Sequence, residues 1–342
     1  MPRRTVRERD PYNAGTPMEA LCRPITPTDL FYVRNHFDVP EIEADEWRLR
    51  FGGVVERPLE LALSDLRALP PRTLAVTLEC AGNGRTRMRP VPSGTPWAFD
   101  AVSTARFTGT SLVHLLDAAG VRRGAVEVLF VGADGEEADP RSEAAFARSL
   151  PLDVARHPDT ILAWGMNGSP LRPQHGHPVR LVVPGWYAVA SVKWVARIDL
   201  LDAPFRGHWQ TTKYVYDGME GVPDGTPVEA MRVRAAIARP ADGTSVPAGP
   251  VVVRGTAWSG AGRIRKVEVR VDDGAWVEAA LGRSAGRHGA TPWTWTWRAR
   301  KGRRRIEARA TDETGATQPL VPVWNHHGYG NNVVQRVEID VD

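Results

Sequence analysis

In Thr77-Leu78-Glu79-Cys80-Ala81-Gly82-Asn83-Gly84-Arg85 an apolar approach through Leu74, Ala75 and Val76 reaches a cysteine. Two glycines, an asparagine and an arginine follow at once. That pattern predicts a strand ending in a tight polar loop. The thiol stands beside a guanidinium, and nearby positive charge favours thiolate. Cys80 is therefore a candidate metal ligand or nucleophile. A small cysteine buried at a strand end is the competing reading.

Upstream, Leu30 to Phe37 is an apolar run carrying Arg34 and His36 two residues apart. On an extended segment these share a side, and a cationic pair there suits an anion. An exposed strand end is the alternative. Trp47 to Gly53 alternates and stops at glycines, which predicts a strand and turn. Leu59 to Leu69 has apolar residues at helical spacing and predicts a helix stopped by Pro70-Pro71. Ala81 to Pro96 reads as a long loop carrying Arg85, Arg87 and Arg89. Thr110 or Ser111 is expected to cap a helix that Gly120 ends. Strands are expected at Val126–Val131 and Ser191–Ile198, with a short helix near Leu150–Arg156. Short strands, short helices and long loops predict an irregular α+β domain rather than a βαβ repeat. Neither a Rossmann glycine fingerprint nor a phosphate-binding glycine–lysine loop occurs.

The texture changes near residue 225. Met231–Ala238, Val251–Gly255, Ile264–Val271, Trp276–Ala280, Trp293–Arg298, Arg304–Ala310 and Val333–Val341 are strand-like. Trp293, Trp295 and Trp297 alternate with threonine and mark one face. Glycine, proline and aspartate fill the joints, which predicts an immunoglobulin-like β-sandwich without its disulfide. The tail Val323 to Asn332 is too polar and aromatic for a plain turn and is expected to pack on the first domain. The expected division is an N-terminal extension over 1–27 that wraps a domain, a catalytic domain over 28–225 and the sandwich over 226–342.

Composition excludes several classes. Hydrophobic residues make up 42% and charged residues 25% of 342, as in an ordinary globular protein. Two cysteines, Cys22 and Cys80, imply no disulfide framework. A net charge of +4 does not by itself imply nucleic acid, and Arg300 to Arg305 reads as a solvated turn between strands. No apolar run approaches the roughly 18 residues that span a bilayer. Met1 to Asp10 is charged and lacks an apolar segment, so Arg3-Arg4 does not read as an export signal. The expectation is a cytoplasmic protein, or a periplasmic one if an export signal has been removed.

Arg34, His36, Arg85, His175, Arg180 and Lys193 recur in the first domain. Together with a thiolate they describe an anionic cofactor or substrate held by charge-assisted bonds. A soft metal on Cys80 fits that set. Zinc fits less well, because neither a Cys-x-x-Cys nor a His-Glu-x-x-His arrangement is present. A cysteine nucleophile would need a paired histidine that the sequence does not identify.

Thr77 to Arg85, Val33-Arg34-Asn35-His36, Met166-Asn167-Gly168, His175 to Arg180, Val192-Lys193-Trp194 and His208-Trp209-Gln210 together resemble the sulfite oxidase family of molybdenum enzymes. Gly255 to Gly260 and Trp324-Asn325 resemble that family's dimerisation domain. The matches keep their order along the chain. The resemblance implies molybdenum on one molybdopterin, with Cys80 as the metal's protein ligand. It places His36, Arg85, His175, Arg180 and Lys193 around the cofactor. Arg34 would approach the oxyanion substrate and Tyr214 would hydrogen-bond near it. The implied reaction is oxidation of sulfite to sulfate by oxygen-atom transfer, with electrons passed to an external acceptor such as cytochrome c or oxygen. A homodimer is implied, with neither nucleic acid nor a membrane span.

Departures from the family pattern also carry expectations. The animal enzymes have an N-terminal haem-binding domain; this chain begins almost directly with the molybdenum domain, and no haem is expected in it. Trp324-Asn325-His326-His327-Gly328 stands where the animal enzymes have Trp-Asn-x-Arg-Gly, so His327 would take that arginine's place with a pH-dependent charge. Lys213 replaces an acidic residue of the animal pattern. The alternatives are a molybdopterin reductase acting on nitrate or an S-oxide, and a non-catalytic assembly protein retaining the fold.

Overall fold

The strand Pro71–Glu79 delivers the cysteine. It pairs antiparallel with Val102–Ser111 over its whole length, from Pro71 opposite Thr110 to Glu79 opposite Val102. The pairing continues one step, with the Cys80 amide donating to Ala101 O at 2.9 Å. Residues 3–135 and 139–342 are described by this computed structural model. The cysteine strand is the edge of a five-stranded sheet whose order runs Ser169–Pro170, Ile161–Met166, Val102–Ser111, Pro71–Glu79, with Arg180–Val182 also paired to Ile161–Met166. A second five-stranded sheet runs Leu59–Ala62, Arg48–Gly53, Val195–Leu201, Glu127–Gly135, Ala145–Pro151. It is mixed, since Val195–Leu201 lies parallel to Arg48–Gly53 and antiparallel to Glu127–Gly135.

Alternation sorts the side chains of the cysteine strand. Val76, Leu78 and Cys80 share one buried cluster with Phe31, Trp97, Phe107 and Ile161. The larger core holds Leu49, Phe51, Phe130 and Ile198 from the second sheet against Leu112, Leu115 and Leu116. Burying side chains of this size is worth about 1.5–3 kcal/mol each, and that burial sets where the strand ends.

Several expectations are corrected. Leu59 to Leu69 is not one helix. Leu59–Ala62 is a strand on the edge of Arg48–Gly53, and only Leu63–Ala68 is helical. An exposed strand edge offers backbone partners that outweigh a short run at helical spacing. Thr110 and Ser111 do not cap the next helix; they end the strand Val102–Ser111, and the helix is Val113–Ala119, closed by Gly120. Ser191 to Trp194 lies ahead of its strand, which starts at Val195. Trp194 takes φ 52°, which breaks the extended run. Trp276–Ala280 splits into Val277–Glu278 and Ala280–Leu281, which join different sheets.

The N-terminal residues do wrap a domain. Thr5–Arg9 and Tyr12–Gly15 form a hairpin, and Ala14 exchanges backbone bonds with Val33 at 3.0 and 2.8 Å. Arg7 reaches Asp100 at 2.7 Å, and Thr16 meets Ser103 at 2.5 Å.

The C-terminal domain is β-rich. One sheet runs Arg234–Arg239, Gly249–Trp258, Thr291–Ala299, Ala280–Leu281, and the other runs Thr244–Val246, Gln335–Val341, Gly302–Asp312, Ile264–Val271, Val277–Glu278. Val253, Trp293, Val267, Ile306 and Ile339 from both sheets share a core, with Trp295 and Trp297 packed on it. The basic run near Arg300 is the turn that carries the chain from Thr291–Ala299 in one sheet to Gly302–Asp312 in the other, and Arg304 and Arg305 bond Asp272 and Asp273 at 3.3 and 2.6 Å. Among the described residues, no helix is long and apolar enough to cross a membrane.

Several contacts lock the domains together, two of them along the cysteine strand. Glu79 accepts from Arg234 and Trp258 at 2.8 Å each, and from Asn83 at 2.9 Å. Farther along the same strand, the Thr77 amide donates to His288 O at 2.9 Å, and His288 Nε2 meets Asp159 at 2.7 Å. Burial alone would raise the Asp159 carboxyl, but bonds from His288 and Arg72 outweigh it and hold it below the usual range. A depressed carboxyl contributes stability above its unfolded value near 3.9, and that contribution is lost as pH falls through the folded value. Thermal melts of the protein and of Asp159→Asn are therefore expected to differ above about pH 5 and to converge as pH falls through the depressed folded value. A gap that persists into acid contradicts the assignment.

Candidate active site

The loop after Cys80 is closed by its own backbone. Asn83 N donates to Cys80 O at 2.9 Å, and the Asn83 side chain bridges Glu79 at 2.9 Å and the Ala101 amide at 3.1 Å. Gly84 takes φ 88°, and a Cβ there would lie 2.7 Å from Arg234 Nη2. Only glycine suits that turn. The thiol is 6% exposed and forms part of a cavity wall.

That cavity and its mouth hold about 660 Å³ of empty space. Arg34, His36, Cys80, His175, Arg180, Lys193 and Tyr214 all line it, although they come from widely separated segments. Two expected site residues do not line it. Arg85 donates to Thr95 O at 2.7 Å and His327 O at 3.0 Å, tying the cysteine loop to the C-terminal domain. His327 pairs with Asp217 at 3.3 Å. Burial pushes the His327 pKa down, Lys213 adds to this and Asp217 opposes it.

Charge states differ from the simplest sequence reading. Burial drives His36 well below its ordinary pKa, with Arg34 and Lys193 acting in the same direction. Burial does the same to His175, aided by Arg4, Arg180 and Lys193. Both rings are therefore neutral at pH 7, and Arg34 with His36 is not a cationic pair. The fixed cations are Arg34 and Arg180; burial lowers Arg180 only to about 10. Arg180 donates to His175 O at 3.1 Å and Ser191 O at 3.0 Å, which aims its guanidinium. Lys193 bonds Asn35 Oδ1 and, at 3.3 Å, Gln174 O. Burial pushes the Cys80 thiol up, while Arg34, the Gly82 amide and Arg85 pull it down.

A π-turn at His208–Thr212 precedes Tyr214, as such turns often do at functional sites. Tyr214 then takes φ 53° and points its hydroxyl at His36 Nε2, 2.6 Å away. The His36 ring lies 4.9 Å from Phe146, nearly parallel, and 4.4 Å from Trp209. Among the lining residues given no role from sequence are Asn35 and Asp134. Asn35 sits between two that were given one, so proximity was the available signal. Asp134 carries none, because it meets Lys193 only through the fold. Burial raises Asp134 to about 6, and Lys193 opposes that rise.

Comparison with known proteins bears on this geometry. A family model described as an oxidoreductase molybdopterin binding domain matches residues 36–209, and one described as a Mo-co oxidoreductase dimerisation domain matches 226–342. Sulfite oxidase of Gallus gallus is 36% identical over 353 residues, covering 94% of this chain and 75% of that protein. The chain belongs to the sulfite oxidase family of molybdopterin-dependent oxidoreductases. Mitochondrial sulfite oxidase of Rattus norvegicus is 36% identical across 98% of this chain, and the match spans 65% of that protein's length. The NADH nitrate reductase of Lotus japonicus is 32% identical across 97% of this chain and 41% of its own length. Among solved structures, the sulfane dehydrogenase SoxCD of Paracoccus pantotrophus superposes with a TM-score of 0.86 at 29% identity, covering 98% of this chain and 87% of that one.

The cavity fits the sulfite oxidase family's molybdenum–molybdopterin cofactor. A soft sulfur donor, Cys80, sits in its wall, and a metal there would take it as the thiolate. His175 Nε2 is buried without a partner in that wall, so a polar group of the cofactor has a waiting neighbour. Arg180 offers charge to a phosphate, and Lys193, which burial holds well below its ordinary pKa, offers a further donor.

Proposed function

We propose that the protein oxidises sulfite to sulfate by oxygen-atom transfer and passes the electrons to an external acceptor. The observation that carries this reading is the convergence of Arg34, Cys80 and Tyr214 on one buried cavity. Cys80 would hold the metal, while His36, His175, Arg180 and Lys193 would surround the pterin and its phosphate. When bound, the cofactor supplies the oxygen-atom and two-electron chemistry. The chain's own residues bind, orient and neutralise. Arg34 attracts the oxyanion, and Tyr214, its hydroxyl anchored on His36, presents a directional contact beside it. Arg85, bonded to His327 O, braces the cysteine loop from outside the cavity.

Arg34→Met is expected to raise the KM for sulfite by about 10- to 100-fold, the worth of a charge-assisted bond, with a smaller change in kcat. Steady-state kinetics check this; an unchanged KM removes Arg34 from the substrate contact.

A second reading keeps the cofactor and reverses the direction, reducing nitrate or an S-oxide. The similarity to a nitrate reductase favours keeping it in view. A third is a non-catalytic assembly protein, which predicts no stoichiometric molybdenum. Metal and pterin analysis joined to turnover assays separates the three. Sulfite, nitrate and S-oxides are compared with cytochrome c, oxygen and artificial carriers. Molybdenum without sulfite-dependent electron release moves the assignment to the reductase.

The proposed division is an extension over 1–27, a catalytic domain over 28–225 and a dimerisation domain over 226–342. The two-sheet core of the last unit supports an immunoglobulin-like sandwich, and its match to a dimerisation domain supports a homodimer.

A further inference from the structure

The catalytic domain does not hold Tyr214 by itself. A left-handed backbone is costly for a bulky aromatic residue, and Tyr214 sits at φ 53°. Within reach are Val228 N, donating to Tyr214 O at 2.8 Å, and His36 at the hydroxyl. Trp209 and the Arg148 guanidinium also lie against the ring, at 6.3 and 6.0 Å, but the aromatic ring nearest to it comes from the C-terminal domain. The Tyr329 ring lies 4.9 Å from the Tyr214 ring at 12°, fully stacked. His327 stacks on Tyr329 at 5.5 Å, and the Arg85 guanidinium lies 5.4 Å from the Tyr329 ring.

Tyr329 is itself clamped. Asn325 donates to Tyr329 O at 2.8 Å and accepts from Tyr329 N at 2.9 Å. The next residue, Gly330, donates to Ala81 O at 2.8 Å, in the cysteine loop. Gly330 has φ 62°, and a Cβ there would lie 2.6 Å from the Tyr216 hydroxyl. The clamp therefore fixes one tyrosine against another across a domain boundary. Tyr329 does not line the cavity, so any influence on substrate passes through Tyr214.

We propose that Tyr329 is a positioning residue that holds Tyr214 in its left-handed, cavity-facing conformation, so that the C-terminal domain sets how tightly the site binds a small oxyanion. This rests on reading the cavity as a sulfite site.

The test measures sulfite KM and kcat, and sulfate Kd by calorimetry, for Tyr329→Leu and Tyr329→Phe in native and Tyr214→Phe backgrounds. An aromatic stack is worth about three- to tenfold in binding. Tyr329→Leu is expected to raise KM and the sulfate Kd by that factor, with kcat within about twofold. Tyr329→Phe keeps the stack and should stay within about twofold of native. With the Tyr214 hydroxyl removed, the effect of Tyr329→Leu should fall below about twofold, because there is no hydroxyl left to aim. If Tyr329→Leu does not fold, Tyr329→His makes the same comparison with a smaller ring. Equal effects in both backgrounds, or an active native enzyme with flat KM and Kd across the variants, overturn the proposal alone. A native protein that neither turns over sulfite nor binds sulfate overturns the functional reading and the proposal with it.

Discussion

Cys80→Ala is expected to cut sulfite-dependent turnover by at least about a thousandfold, on the order of 4 kcal/mol of barrier, while the protein stays folded. The two halves of that statement have separate causes. The backbone of Cys80 is held by Ala101 and Asn83, and neither bond uses the sulfur. The loop is further fixed by the Asn83 side chain and by Gly330. Alanine keeps all of this and removes only the donor atom. No other thiol can substitute, since Cys22 lies outside the cavity and is the chain's only other cysteine. Elemental analysis, a thermal melt and a turnover assay on one preparation check the prediction. Native turnover with native molybdenum content in the variant removes Cys80 as the ligand.

Arg234→Met is expected to destabilise the protein by about 3–5 kcal/mol. Glu79 and Arg234 are each almost fully buried, with side chains 1% and 3% exposed. Removing the arginine leaves a carboxylate inside the domain interface, one residue before Cys80. Trp258 and Asn83 still donate to it, but they carry no charge to offset it. The interface should loosen where the cysteine loop is built, so turnover should fall together with stability. Chemical denaturation measures the loss. A cost below about 1 kcal/mol would mean that Glu79 takes up its proton or finds water instead.

How much of this was legible before the fold was known follows physical lines. The strand into Cys80 was, because it ends where glycine and asparagine force a turn. The strand Val102–Ser111 beside it was not, and its last residues, Thr110 and Ser111, read as a helix cap instead. It is buried on both faces and built from Val, Ser, Thr, Ala, Arg, Phe and Gly, so no alternation marks it. Ala145–Pro151 escaped for the same reason. The helix reading of Leu59 to Leu69 failed at its first four residues, where a neighbouring strand edge was invisible to spacing.

The candidate site divides in the same way. The chain alone determined the chemical inventory: a thiol in a tight turn, cations at loop starts, a tyrosine after His208-Trp209-Gln210, and an ordered set of motifs that points to one family. Those properties are local, so residue order encodes them. Only the tertiary structure decided which of these groups share a cavity, that His36 and His175 are neutral within it, and that Arg85 and His327 serve as braces rather than walls. It also decided that Tyr329 stacks on Tyr214. Burial, stacking and charge state depend on every element packed around a group, and those elements lie up to the whole chain apart.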